Sequence, residues 1–114
     1  MEITVREKDE ITIFDIQGRI ISIYTLELKN LIDDSIALAL KTGKKIKILL
    51  NFAKVSLIDS HGLKVVIVAY MFTQSKGGKI ALLNLGKSNR QIIVNRKLQT
   101  IFETYEDEAI ASFS

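Results

Sequence analysis

Few side chains in this sequence are equipped for chemistry. There is no cysteine and only one histidine, His61. Disulfides, thiol catalysis and thiolate metal sites are therefore excluded, and little remains for a transition-metal centre. The acidic residues show no paired arrangement for metal or base work, and no Gly-x-x-x-x-Gly-Lys-Ser/Thr loop is present to cradle phosphates. One segment stands out, Val55-Ser56-Leu57-Ile58-Asp59-Ser60-His61-Gly62-Leu63. Asp59 or Ser60 suits a helix N-cap, because a short side-chain oxygen accepts from a free backbone N–H. Ser60 then sits on the first turn with its hydroxyl toward solvent. Free N–H groups and the positive end of the helix dipole lie close by, so a phosphate placed there is stabilised. Gly62 lets another backbone or a ligand approach closely. His61 is either a plain surface residue or, when protonated, a partner for a phosphate on Ser60, although the dipole disfavours its cation. Asp-Ser before an apolar helix is also a common cap with no chemistry, and these residues alone leave both readings open.

The elements that must position this segment can be read from the apolar pattern. Ile3 and Val5, then Ile11, Ile13 and Ile16, alternate with polar residues, which predicts two short strands joined near Asp9–Glu10. Gly18 is expected to close the second. Leu28, Leu31, Ile32, Ile36, Ala39 and Leu40 recur at helical spacing from about Leu26, and Gly43 suits the C-terminal cap. The run Lys45 to Phe52 reads as a strand buried on both faces. A second helix is expected from Ser60 to Ser75, with Leu63, Val66, Ile67 and Tyr70 inward and Gly77–Gly78 ending it. Lys79 to Leu85 reads as another buried strand. Ser88 caps a third helix reaching about Leu98, Ile101 to Tyr105 forms an edge strand, and Glu106 to Phe113 forms a terminal helix. The order ββαβαβα(β)α predicts an α/β fold, with a mixed sheet of four to five strands and about four helices packed on it. The second helix also carries surplus apolar residues, Val65, Val68, Ala69 and Phe72, which predict an exposed patch or cover by a neighbouring helix.

The 114 residues, 47% of them hydrophobic, fit one domain over 1–114 with a core of its own. The net charge of +3 is a mild excess. Its densest cluster, Lys41, Lys44, Lys45 and Lys47, straddles a turn and reads as a solvated loop or, alternatively, as an anion-attracting patch. Direct nucleic-acid binding is not expected, because the basic residues are not otherwise gathered on one face. Met1 is followed by Glu2 and a mixed-charge segment, so no signal peptide is expected. The longest apolar run, Val65 to Phe72, falls short of the roughly 20 residues of a membrane span. A cytoplasmic protein is expected.

Ile58-Asp59-Ser60-His61-Gly62-Leu63 resembles the Asp-Ser-Ser/Thr-Gly-Leu motif of the STAS family, specifically the bacterial anti-sigma factor antagonists. The resemblance covers nearly the whole chain. Ile16-Gln17-Gly18-Arg19-Ile20 is similar to the family's Leu-x-Gly-x-Leu strand end, and Lys45 to Asn51 to its central strand. Gly77-Gly78-Lys79-Ile80 matches its Gly-Gly before the next strand. Leu98 with Ile101-Phe102 resembles its Gly-Leu-x-x-Ile-Phe segment, and Glu106 to Phe113 its terminal helix. The resemblance implies a STAS fold and no cofactor, metal or catalytic residue. It implies Ser60 as phospho-acceptor, with Asp59, His61 and Gly62 as its surroundings. The implied partner is an anti-sigma factor with serine-kinase activity that uses ATP, and a phosphatase resets the switch. Arg19, Ser60, His61, Lys64, Val65 and Val68 are the expected contact surface.

The sequence departs from the family pattern at three places. His61 stands for a second Ser/Thr, Arg19 and Ile21 stand where acids are common, and Lys97 replaces the glycine before Leu98, so a different turn is expected there. Two further functions are open. One is an unphosphorylated STAS adaptor of a transport or signalling assembly, with Ser60 serving only the cap. The other is weak nucleotide binding near the helix terminus.

Overall fold

The computed structural model describes residues 1–21 and 25–108. Strands β1 (Glu2–Lys8) and β2 (Ile11–Ile20) form an antiparallel hairpin. Its two turn residues, Asp9 and Glu10, both have positive φ, 52° and 68°. That is the twist a two-residue turn needs to follow the strands. Helix α1 (Thr25–Thr42), strand β3 (Lys47–Ile58), helix α2 (Ser60–Ser75), strand β4 (Lys79–Leu83), helix α3 (Lys87–Asn95) and strand β5 (Glu103–Tyr105) follow. The strands lie side by side in sequence order, and every pairing after the first is parallel. This is the expected mixed α/β architecture, with five strands and, among the described residues, three helices. The helix expected over Glu106 to Phe113 falls largely outside the described residues.

Alternation along the strands divides the sheet into two faces. Phe14, Ile16 and Ile20 of β2, Ile48, Leu50 and Phe52 of β3, and Ile80 and Leu82 of β4 join the larger core with α1, α2 and α3. From the helices come Leu28, Ile32 and Ile36, then Leu63, Val66 and Ala69, and Ile93. Each such side chain contributes roughly 1.5–3 kcal/mol on burial. Ile13, Leu49, Ala81 and Leu83 form a second cluster on the other face. Within α1 the helical stripe holds except at Leu40, which is exposed.

Strand β3 is longer than its sequence suggested, running to Ile58 rather than ending at Phe52. Asp15 pairs with Asn51 and Gln17 with Lys54; then Gly18 pairs with Val55 and Arg19 with Leu57. At each step β3 carries one extra residue, a β-bulge. The buried positions Phe52, Val55 and Ile58 are therefore three apart, and the period of two is lost. The same pairing carries β2 through Gly18 to Ile20, so Gly18 does not close that strand.

All three helices end alike. Lys44 N–H donates to the Ala39 carbonyl, Gly78 N–H to that of Thr73 and Leu98 N–H to that of Ile93, each at 2.9 Å. The residue before each donor is left-handed: Gly43 (φ 70°), Gly77 (φ 77°) and Lys97 (φ 57°). These are Schellman caps. Lys97 thus keeps the turn a glycine would make and bears the steric cost, so the different turn expected there does not occur. At the other end of α3, Gly86 is the N-cap and makes no side-chain bond, so Ser88 is not the cap. Ser88 already lies in the first turn, past the position from which a hydroxyl can reach the free N–H groups.

On the second face Arg6 ties distant segments together. Its Nε donates to Asp15 at 2.5 Å, and its Nη2 also bonds Glu108. Asn51 donates to Asp15 at 2.7 Å, and Asn84 donates to Asn51 at 3.2 Å. Hydrogen bonding from Arg6 holds the Asp15 and Glu108 carboxyls below their usual range, with help from Asn51 and Lys8 respectively. A carboxylate with a lowered folded-state pKa adds stability above its unfolded value and loses it as pH falls through the folded one. Arg6→Ala is expected to cost about 1 kcal/mol near neutral pH, a modest figure because the groups are partly exposed. The difference in melting temperature from wild type should shrink as the pH drops below the ordinary carboxylate range, measured by thermal melts across that window.

Candidate functional site

The β3–α2 junction is built on a close backbone contact. Ile58 ends β3, Asp59 is extended (φ −93°, ψ −179°), and Ser60 begins α2. Asp59 is the cap: its Oδ1 accepts from Gly62 N–H at 2.8 Å, while its carbonyl accepts from Leu63 N–H at 2.8 Å. The N–H groups of Ser60 and His61 come before the first intrahelical donor, Leu63, and have no acceptor within the helix. Asp59 N–H in turn donates to the carbonyl of Ile20, at the end of β2, at 3.3 Å. That same carbonyl oxygen lies against Gly62, where an added Cβ would sit only 2.1 Å from it. The close approach expected at Gly62 is therefore to backbone.

With Gly62 and Leu63 buried, the adjoining positions turn outward. Ser60, His61 and Lys64 are exposed, and Asp59 is half-buried. Ser60 and Lys64 are four apart on one helix and so share a face. The exposed face continues through Val68, Met71 and Phe72, which are 42%, 62% and 39% exposed. Part of the expected apolar surplus is thus at the surface. Ala69 is not; it is buried in the core, and Val65 is half-buried. Ile67 and Tyr70, expected to face inward, are half-buried, and Tyr70 meets Phe102 edge-on with ring centroids 5.4 Å apart. Arg19 is exposed and paired in register with Leu57. Its neighbour Ile20 points into the helix-side core, so strand alternation sends Arg19 to the other face of the sheet. It shares the strand end with Ser60 without joining the Ser60–Lys64–Val68 stripe.

Two supporting residues were not anticipated. Asn89, 2% exposed, donates to the Val55 carbonyl at 3.1 Å and fastens α3 to the bulged part of β3. Ser56 donates to the Gly18 carbonyl at 3.3 Å across the second bulge. Both bonds are made at the irregular steps of the β2–β3 pairing, and bulges leave no direct mark in a sequence. Among the described residues no group of acidic or histidine side chains is arranged to hold a metal ion, and no helix is long and apolar enough to cross a membrane.

A five-stranded mixed sheet with helices on it and a capped Asp-Ser turn at the start of α2 define one class of small α/β domain. The STAS domain family model matches residues 2–111, and the chain belongs to that family. No curated protein matches it in sequence. Among solved structures, it is similar to a putative anti-sigma factor antagonist from Thermotoga maritima, at 20% identity and TM-score 0.84 over 96% of this chain and 90% of that one. It is similar to the Bacillus cell fate determinant SpoIIAA in the phosphorylated form, at 18% identity and TM-score 0.67 over 95% of each chain. It is also similar to a sulfate transporter family protein from Wolinella succinogenes, at 11% identity and TM-score 0.70 over 90% of this chain and 81% of that one. At such identities these likenesses establish the fold.

Two substitutions test how the site is built. Gly62→Ala should cost about 3 kcal/mol, since the methyl meets rigid backbone. Asp59→Ala should cost about 1 kcal/mol, the usual worth of an N-cap. Urea unfolding of both variants checks the order, and equal losses would refute the backbone contact.

Proposed function

We propose that the chain is an anti-sigma factor antagonist, and that phosphorylation of Ser60 controls its binding to an anti-sigma factor of the serine-kinase type. The observation that carries this reading is the exposed Ser60 hydroxyl on the first turn of α2, one residue past a cap made by Asp59 alone. Ser60 is not needed for the cap, so its hydroxyl is available to another protein. Transfer of the γ-phosphoryl group of ATP to that oxygen adds nearly two negative charges. The free N–H groups of Ser60 and His61, the dipole end of α2 and the ammonium of Lys64 stabilise them. The fold therefore survives the modification. What changes is the surface: a partner seated over Ser60, Lys64 and Val68 meets a bulky dianion and is repelled. A phosphatase removing the group restores binding. Antagonists among the similar structures, one of them solved phosphorylated, support this reading.

A second reading is favoured by the likeness to the sulfate transporter family protein. In it the domain is an adaptor in a transport or signalling assembly, and Ser60 stays unmodified. Incubation with candidate kinase-type anti-sigma factors and ATP, followed by mass spectrometry, separates the two. Phosphate is expected on Ser60 and absent from Ser60→Ala. Ser60→Asp should bind the partner at least about tenfold more weakly, as like-charge or desolvated contacts do. Equal affinity of wild type and Ser60→Asp would favour the adaptor.

A further inference from the structure

The end of the sheet opposite Ser60 gathers six of the chain's sixteen basic residues. Both α1 and α2 link parallel neighbouring strands, so both helices end where β3 and β4 begin. Lys79 N–H donates to the Ile46 carbonyl at 2.9 Å and joins the two post-helix loops. This brings Lys76 and Lys79 beside the Lys44–Lys47 segment. A depression of about 390 Å³ there is lined by Lys44, Lys45, Lys47, Lys76 and Lys79 together with Leu40. Among the described residues no acidic side chain lines it. Lys41 lies in the last turn of α1, and the Asp9–Glu10 turn, which precedes β2, is at the same end of the sheet.

Helix dipoles account for part of this. Lys41, Lys44 and Lys76 complement the negative ends of α1 and α2. They do not account for Lys47 and Lys79, which begin neighbouring strands at paired positions. Like charges in register disfavour each other. Nor do they account for the apolar residues beside them. Leu40, in the last turn of α1, lines the depression and is 51% exposed, and Phe72, in the last turn of α2, is 39% exposed. Lys76 holds its ammonium 5.5 Å from the Phe72 ring centre.

We propose that this end of the sheet docks the protein on an anionic phospholipid surface. The patch is all lysine and has no arginine, the residue suited to bidentate recognition of individual phosphates. Lysine supplies diffuse charge on a flexible stem that lies along apolar surface while its head reaches polar ground. A nucleic acid offers phosphates but no apolar phase for Leu40 and its neighbours; an anionic bilayer offers both, charge at the headgroups and hydrocarbon just beneath. The proposal is independent of Ser60 and of its modification.

Co-sedimentation of the 114-residue chain with vesicles tests it, comparing pure phosphatidylcholine with a mixture holding about a third phosphatidylglycerol. Binding is expected to the anionic vesicles only, and to fall with added salt. Lys44→Gln and Lys45→Gln should each lower affinity roughly fivefold, and Leu40→Ser should lower it too. All three positions are exposed, so thermal melts should match wild type. Equal binding to both vesicle types, or none to either, overturns the proposal. So does binding to a DNA duplex as tight as to the anionic vesicles that Leu40→Ser leaves unchanged.

Discussion

The contact between Gly62 and the Ile20 carbonyl governs the functional end of this molecule. A helix N-terminus carries unpaired N–H groups and normally stands off from neighbouring backbone by the width of a side chain. Here the side chain is absent, and the start of α2 comes down onto the end of β2. The Asp59 N–H bonds the same carbonyl, so the approach is held from two sides. With Gly62 and Leu63 turned inward, the helical period sends Ser60, His61 and Lys64 outward. The exposure of the hydroxyl thus follows from a packing constraint two residues away.

The two bulges in β3 serve the same end. Each extra residue is taken up opposite a single step of β2, so Ile58 rather than Ser56 comes to lie beside Ile20, while Phe52, Val55 and Ile58 stay on the helix side. Asn89 and Ser56 add side-chain hydrogen bonds to the Val55 and Gly18 carbonyls at these steps. The cost is a strand with two irregular steps; the gain is an Asp-Ser turn at the rim, where another protein can reach it.

Parallel crossovers also separate the molecule's two charged features. Helix starts gather at one edge of the sheet and helix ends at the other. The first edge offers free N–H groups and suits an anion fixed to the chain. The second offers carbonyl ends, attracts lysines, and through the joined post-helix loops collects more of them than the dipoles require. A single topology therefore places the proposed modification site and the basic patch at opposite ends of the sheet, where one can act without occluding the other.

Much of this was legible from local chemistry. The span of α2 from Ser60 to Ser75, the hairpin turn at Asp9–Glu10, the caps at Gly43 and Gly77, and an N-cap at Asp59 or Ser60 all rest on interactions within a few residues, and local pattern records those. The Asp-Ser-His-Gly-Leu segment was equally plain as a place where chemistry could sit. Long-range decisions were not legible. The extension of β3 past Phe52 depends on pairing with β2, and a bulge erases the alternation that marks a strand. The left-handed Lys97 hides a helix cap behind a residue that disfavours it, because the packing of Leu98 outweighs the backbone cost. Lys76 and Lys79 join the other lysines only when two loops far apart in the chain meet, and Arg19 goes to the opposite face of the sheet because strand alternation, not distance along the chain, sets its direction.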